Sequence, residues 1–240
     1  MIRLDKFLAD AGYGTRSEVK KQLKSGIVSV NGAVCKKSEE KIDPACDVVT
    51  VAGNEVVYEA FSYYLFYKPA GCVTAKSDTL HKTVMDYFPE IVRKSCSPVG
   101  RLDKDTEGLL LITNDGELNH HLMSPVHHVK KTYYAVLDGE VPVSAIQQFA
   151  EGVDIGDDKK TLPAELEILP KQMQDTANQV YHANLTISEG RFHQVKRMFE
   201  TVGCHVVYLK RLSLGNLSLG ELNPGEYRRL SEAEITDLRK

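Results

Sequence analysis

The stretch Ser97 to Gly116, SPVGRLDKDTEGLLLITNDG, sets charged side chains directly before an apolar strand. Its turn, Arg101-Leu102-Asp103-Lys104-Asp105-Thr106-Glu107-Gly108, runs into an unbroken apolar segment from Leu109 to Ile112, the pattern of a short strand buried on both faces. Charged groups beside such a rigid support keep a fixed direction, which a carboxylate needs to meet a substrate at productive geometry. Paired carboxylates, Asp103 with Asp105 or Glu107, would be the machinery of a glycoside hydrolase. Composition alone fits a solvated charged turn equally well. A second concentration of charge is SEGRFHQVKRMFETVGCHV, which is helical from Arg191, with Val195, Met198, Phe199 and Val202 on one face and Gly203 after the end. Its other side carries Arg191, Gln194 and Arg197, with Lys196 close by, and Lys210-Arg211 follow on the next strand. From Arg191 to Arg211 there are five Lys or Arg residues against one acid, Glu200, a concentrated basic patch in a chain of formal charge −3.

These groups need elements to hold them. Tyr63 to Tyr67 reads as a strand ending in Lys68-Pro69-Ala70-Gly71, where Pro69 fixes one backbone angle and Gly71 permits a tight turn. Thr83 to Phe88 reads as a short helix before Pro89. Leu118 and Leu122 mark another, ended by Ser124-Pro125. Lys131 to Leu137 reads as a strand with Tyr133 and Tyr134 on opposite faces, residues 143 to 151 as a helix closed by Gly152, and Tyr181 to Ile187 as a further strand. Ser231 with Glu234 caps a final helix. His120, His121, His127 and His128 do not form a metal shell, because adjacent histidines on a regular element diverge and no carboxylate lies among them.

The N-terminal sixty residues have their own pattern. Leu4, Phe7, Leu8 and Ala11 lie at helical spacing before Gly12 and Gly14. Thr15 and Glu18 make a capping box for a second helix, which Gly26 ends and on which Arg16, Lys20, Lys21 and Lys24 are exposed. Ile27 to Val30, Asn31-Gly32 and Ala33-Val34 form a hairpin, with Asp47 to Val51 as another strand and a linker running to about Ser62. A lysine row beside an exposed hairpin can neutralise phosphates, giving affinity that falls with salt but little sequence choice.

The central stretch, GRLDxDTxGLLLxTNDG, resembles the catalytic motif of the RsuA/RluA class of pseudouridine synthases, matched by Gly100 to Asp103, Asp105, Thr106, Gly108 to Leu110, Thr113, Asp115 and Gly116. The resemblance implies that Asp103 is the catalytic carboxylate. KPAG at Lys68 resembles the first motif of that class, with no catalytic role expected for Lys68; KTY resembles the motif that supplies an active-site tyrosine, here Tyr133. EGRFHQVKRMF resembles the motif whose cation pairs with the catalytic aspartate, here Lys196, with Arg101, Arg191, Arg197, Lys210 and Arg211 as substrate or phosphate contacts. RLDKFLADAGYGTRSEVKKQLKSGIVSVNG resembles the S4 RNA-binding domain, which would meet RNA through Arg16, Lys20, Lys21 and Lys24. HHVKKTY, ISEGRFHQVKRMF and LNPGEYRRL look most like the branch that modifies one uridine of small-subunit (16S) ribosomal RNA.

The expected fold is therefore α+β: an S4-like RNA-binding domain with its linker over residues 1–60, and a synthase domain over residues 61–240 built on a mostly antiparallel β-sheet flanked by helices. The expected reaction is isomerisation of uridine without cofactor or metal. Asp103 starts it by attacking the sugar or by taking a sugar proton to form a glycal, and Tyr133 stacks the extruded base and can pass a proton. The expected partner is small-subunit ribosomal RNA in an assembly intermediate, met by a monomer. Two rivals are a non-catalytic ribosome-assembly protein and the hydrolase; a sister synthase of large-subunit RNA is the alternative within the class. The absence of tryptophan removes the usual sugar-stacking platform of a hydrolase. No apolar run reaches membrane-span length and MIRLDKFLAD has acids where a secretory signal needs an apolar stretch, so a cytosolic protein is expected. Five scattered cysteines without CxxC spacing imply buried or half-buried thiols and neither disulfides nor zinc.

Overall fold

In the computed structural model of the chain, which describes residues 1–56, 58, 61–170 and 180–239, Thr15 accepts from the Glu18 amide at 3.3 Å and Glu18 accepts from the Thr15 amide at 2.6 Å. This reciprocal cap starts the second of two helices, α1 (Leu4–Asp10) and α2 (Arg16–Ser25), and Gly26 ends it in the left-handed conformation. Around them run short strands β1 (Ile2–Arg3), β2 (Val28–Val30), β3 (Ala33–Val34), β4 (Lys41–Ile42), β5 (Val49–Val51) and β6 (Asn54–Glu55). Asn31 and Gly32 both take positive φ, as a two-residue hairpin requires, and join β2 to β3. Leu4, Phe7 and Leu8 of α1 meet Val19 and Leu23 of α2 over β2 and β5 in one apolar core. Part of the segment read as linker belongs to this core: Val56 is buried, and Tyr58 stacks on Phe7 at 4.6 Å. Helix α3 (Glu90–Ser95) belongs to the same compact unit, Met1–Ser62 with Phe88–Cys96. The short helix expected just before Pro89 is a 3-10 turn, Val84–Tyr87, and α3 follows the proline.

The second unit, Tyr63–Tyr87 with Ser97–Lys240, is built on one nine-stranded sheet. Its strands are β7 (Tyr63–Lys68), β8 (Ser97–Val99), β9 (Glu107–Thr113), β10 (Lys131–Leu137), β11 (Glu165–Ile168), β12 (Tyr181–Ile187), β13 (Val206–Leu214), β14 (Leu217–Ser218) and β15 (Tyr227–Arg229). The order is β11-β12-β10-β13-β9-β7-β15, with β14 beside β13 and β8 beside β9. Among the described strands only β9 and β13 pair in parallel, so the sheet is mostly antiparallel and the α+β expectation holds. Gly108 to Thr113 of β9 are all buried, the two-sided burial that the apolar run predicts. Helices α4 (Gly116–Met123), α5 (Ser144–Glu151), α6 (Gln194–Glu200) and α7 (Glu232–Leu238) flank the sheet. Asp115 caps α4, and Ser231 with Glu234 forms the capping box of α7. Phe149 of α5 packs edge-on to Phe199 of α6 with ring centres 5.7 Å apart.

Of the cysteines, Cys72, Cys96 and Cys204 are buried and Cys35 half-buried, as expected, but Cys46 is exposed.

Candidate active site

Asp103 stands on a loop that three neighbours fasten by its backbone. Thr74 Oγ1 donates to the Leu102 carbonyl at 2.7 Å and accepts from its amide at 3.1 Å. The Gly71 amide donates to the Lys104 carbonyl at 2.7 Å, made possible by the tight turn in which Gly71 takes φ 89°. Lys68 is wholly buried at the end of β7 and donates to three carbonyls, Pro69 at 3.1 Å, Lys104 at 3.3 Å and Thr106 at 2.8 Å. Burial depresses the Lys68 pKa. The KPAG turn thus anchors the aspartate loop through side chain and backbone together. Its sequence discloses the turn but not the clamp, because convergence of three carbonyls on one ammonium is a tertiary property.

The opposing wall is the turn before α6. Helical geometry begins at Gln194, three residues later than the sequence pattern suggests, because Glu189 organises the preceding loop. The Glu189 carboxylate accepts from Gln194 Nε2 at 2.9 Å, Arg191 Nε at 3.0 Å and the Leu162 amide at 2.9 Å, while Gln194 Oε1 takes the Arg191 amide at 2.9 Å. His193 is left-handed, φ 49°, and its ring stacks on exposed Phe192. That turn delivers His193 Nε2 to 3.5 Å and Lys196 Nζ to 3.9 Å from the two oxygens of Asp103.

Lys196 makes its shorter contacts with Asp105, at 2.7 and 2.8 Å. Burial opposes ionisation of Asp105, but the lysine's hydrogen bond and charge outweigh it, and the carboxyl is held below its ordinary range. The cation therefore bridges both acids instead of serving Asp103 alone. Glu107, the other acid a two-carboxylate hydrolase would need, accepts from Tyr208 at 2.8 Å and Tyr67 at 3.4 Å and does not line the cavity over Asp103.

That cavity, of about 440 Å³, is bounded by Asp103, Thr106, Lys131, Tyr133, Ile187, Leu209 and Arg211, with Arg101, Arg191, Phe192, His193 and Lys196 among its remaining lining. It presents five Lys or Arg side chains and a single carboxylate. Tyr133 is 8% exposed, and its hydroxyl has no hydrogen-bond partner among the described residues. Tyr134 faces the other way and bonds His182 Nδ1 at 2.6 Å, the alternation expected of β10.

The expected basic contacts divide. Arg16, Lys20, Lys21 and Lys24 are exposed on α2 and form no ion pair among the described residues. Arg101 is exposed at the cavity. Arg191 and Arg197, expected to face phosphate, are engaged within the protein instead. Arg191 donates to Lys159 O at 2.6 Å and Lys160 O at 2.8 Å, and Arg197 to Asp157 at 2.6 Å and to Ile155 O. Together they tie the 155–160 loop to α6 and the turn before it. The Lys210-Arg211 pair is not one patch, because successive strand residues point to opposite faces. Lys210 lies over the Tyr67 ring at 4.9 Å, whereas Arg211 is 2% exposed within the cavity and donates Nε to Leu109 O at 2.7 Å.

The chain matches the family described as RNA pseudouridylate synthase over residues 62–201, and the S4 domain over residues 2–49. It belongs to the pseudouridine synthases. This synthase is 48% identical over 236 residues to the RNA pseudouridine synthase YtzG of Bacillus subtilis (strain 168), covering 98% of this chain and 97% of the relative. It is 39% identical over 239 residues to ribosomal small subunit pseudouridine synthase A of Escherichia coli (strain K12), covering 99% and 100%. The Pasteurella multocida (strain Pm70) protein of that name is 41% identical over 242 residues, covering all of both chains. A crystal structure of a pseudouridylate synthase superposes with a TM-score of 0.69 at 38% identity, over 99% of this chain and 100% of that one.

Within this synthase, Lys68→Met keeps the length of the buried side chain but removes the donor from three carbonyls. We expect a stability loss of about 2–3 kcal/mol in denaturant unfolding. Turnover should fall about 100-fold, the effect of roughly an ångström of misplacement at a reacting group. Full turnover would show that the clamp does not set the position of Asp103.

Proposed function

We propose that this synthase converts a single uridine of small-subunit ribosomal RNA to pseudouridine, with uridine 516 of 16S RNA as the first site to test. The observation that carries the reading is full-length similarity, 39% and 41%, to enzymes named ribosomal small subunit pseudouridine synthase A. The cavity supports the chemistry. It holds a carboxylate within 4 Å of two cationic or protonatable groups, beside a tyrosine whose hydroxyl is unengaged among the described residues.

In the proposed reaction the target nucleotide leaves its stack, and phosphate contacts from the exposed cations of α2 and from Arg101 offset that unstacking. The base lies against Tyr133. Asp103, with His193 and Lys196 within 4 Å of its oxygens, attacks C1′ or removes the C2′ proton as the bond from C1′ to N1 breaks. The freed uracil turns, C5 bonds to C1′, and the C5 proton leaves through Tyr133 or a water that it orders. No atom is gained or lost overall. The preferred substrate is an assembly intermediate in which the uridine is still reachable, and the enzyme acts as a monomer.

The test is purified protein incubated with small-subunit RNA, naked and in partly assembled particles, with pseudouridine detected by position. One site should convert. Tyr133→Phe, which keeps the ring and removes the hydroxyl, should slow single turnover about 100-fold at unchanged RNA affinity. Conversion at the wild-type rate would remove Tyr133 from the proton-transfer step.

A further inference from the structure

Two cations deep in the cavity form no ion pair with an acid among the described residues. Lys131 is 7% exposed and Arg211 2%, and both line the same cavity as Asp103 and Tyr133. Lys131 lies two residues before Tyr133 on β10, hence on the same face, and Arg211 is the residue of β13 that pairs across to Tyr133. Together the three form one patch beneath a base stacked on the tyrosine. Among the described residues Lys131 makes a single hydrogen bond, to Val129 O at 2.8 Å; Arg211 makes one, from Nε, and its buried Nη2 finds no acceptor there. An ammonium carries three donors and a guanidinium five, so most of this hydrogen-bonding capacity is unused by the protein. Burying cations together without a counter-ion is unfavourable. Burial first, and the neighbouring Arg211 charge second, push the Lys131 pKa down to about 8.

Negative charge arriving at this patch would relieve that cost, and the reaction produces it at the right place. When the bond from C1′ to N1 breaks, its electron pair stays with the uracil and is shared with the O2 and O4 carbonyls. That anion then forms the C5 bond to C1′, a proton leaves C5, and N1 takes one up, so the isomer contains the atoms it began with. A neutral base in the ground state gains less from the two cations than the anion does, which is the condition for rate acceleration. A phosphodiester is the other anion in the substrate. Residues only 2% and 7% exposed are too deep for a chain phosphate that brings two sugars with it, whereas an extruded base can reach them.

We propose that Lys131 and Arg211 are catalytic residues that donate to the carbonyl oxygens of the extruded uracil and stabilise the charge it carries after the glycosidic bond breaks. The proposal rests on the reading of this cavity as a uridine isomerisation site. Other charged or titratable groups lining the cavity are Arg101, Asp103, Arg191, His193 and Lys196; the one whose charge acts on Lys131 is Arg211.

The test uses full-length wild type, Lys131→Met and Lys131→Arg, with single-turnover conversion of small-subunit RNA at saturating enzyme, RNA affinity and thermal melting measured side by side. Lys131→Met should lose about 100-fold in rate, the scale for removing one donor to a developing oxyanion, with RNA affinity unchanged. Lysine is charged below its pKa, so the wild-type rate should fall above pH of about 8. In Lys131→Arg, which stays charged, the rate should persist and that alkaline fall should vanish. A Lys131→Met rate within twofold of wild type would overturn the proposal, as would a loss confined to RNA affinity, the mark of a phosphate contact. If Lys131→Met does not fold, Lys131→Arg decides: an unchanged alkaline fall overturns the proposal. Absence of turnover in wild type would instead overturn the underlying reading of the site, and the proposal with it.

Discussion

Asp103→Asn should lower pseudouridine formation at least about 10³-fold while the protein folds and binds RNA as before. The change is isosteric and removes only the negative charge and the basic oxygen. Its loop should not move, because the loop is held through the backbone by Thr74, Gly71 and Lys68, and the Asp103 side chain takes no part in those bonds. Lys196 keeps its two short bonds to Asp105 and has no cause to collapse into the cavity. An amide can neither form the sugar ester nor take the C2′ proton, so both routes close together. Single-turnover conversion and an RNA gel shift on the same preparation separate the two effects. Turnover within tenfold of wild type would mean that another group starts the reaction.

Gly108→Ala should be the most damaging single methyl addition in the catalytic unit. Gly108 sits at φ 109°, where L side chains rarely fit, and a Cβ there would lie 2.2 Å from the Arg211 carbonyl oxygen and 2.6 Å from its amide nitrogen. Both are backbone atoms of the adjoining strand, so no side chain can swing aside. The close approach is needed because β9 and β13 pair in parallel at this point, Arg211 opposite Gly108. To accommodate the methyl, β13 must part from β9, carrying Arg211 out of the cavity. We expect a loss of at least about 3 kcal/mol and a sharply lowered unfolding midpoint, from overpacking and backbone strain together. A midpoint within experimental error of wild type would contradict this account of the strand pairing.

Local signals proved dependable where the chemistry was local. The capping boxes at Thr15 and Ser231, the left-handed Gly26, the Asn31-Gly32 hairpin and the strand from Lys131 to Leu137 all stand where their residues indicate. Each depends on neighbours a few positions away. What the chain order hid depends on distant partners. Lys68 looks like the end of a strand until the Lys104 and Thr106 carbonyls are brought to it. Glu189 opens the EGRFHQVKRMF segment, but its place there does not disclose that it fixes the turn that aims His193 and Lys196. Arg211 reads as half of a basic pair, although alternation along β13 was enough to separate it from Lys210. Arg191 and Arg197 read as free cations because Lys159, Lys160 and Asp157, whose oxygens accept from their guanidinium groups, lie more than thirty residues earlier.

The measurement that bears most directly on the central claim is pseudouridine mapping across ribosomal RNA from cells with the wild-type protein, with Asp103→Asn, or with none. One small-subunit site should be modified with wild type and unmodified in both other samples. Loss at a large-subunit site instead, or persistence of every small-subunit site without the protein, would contradict that claim.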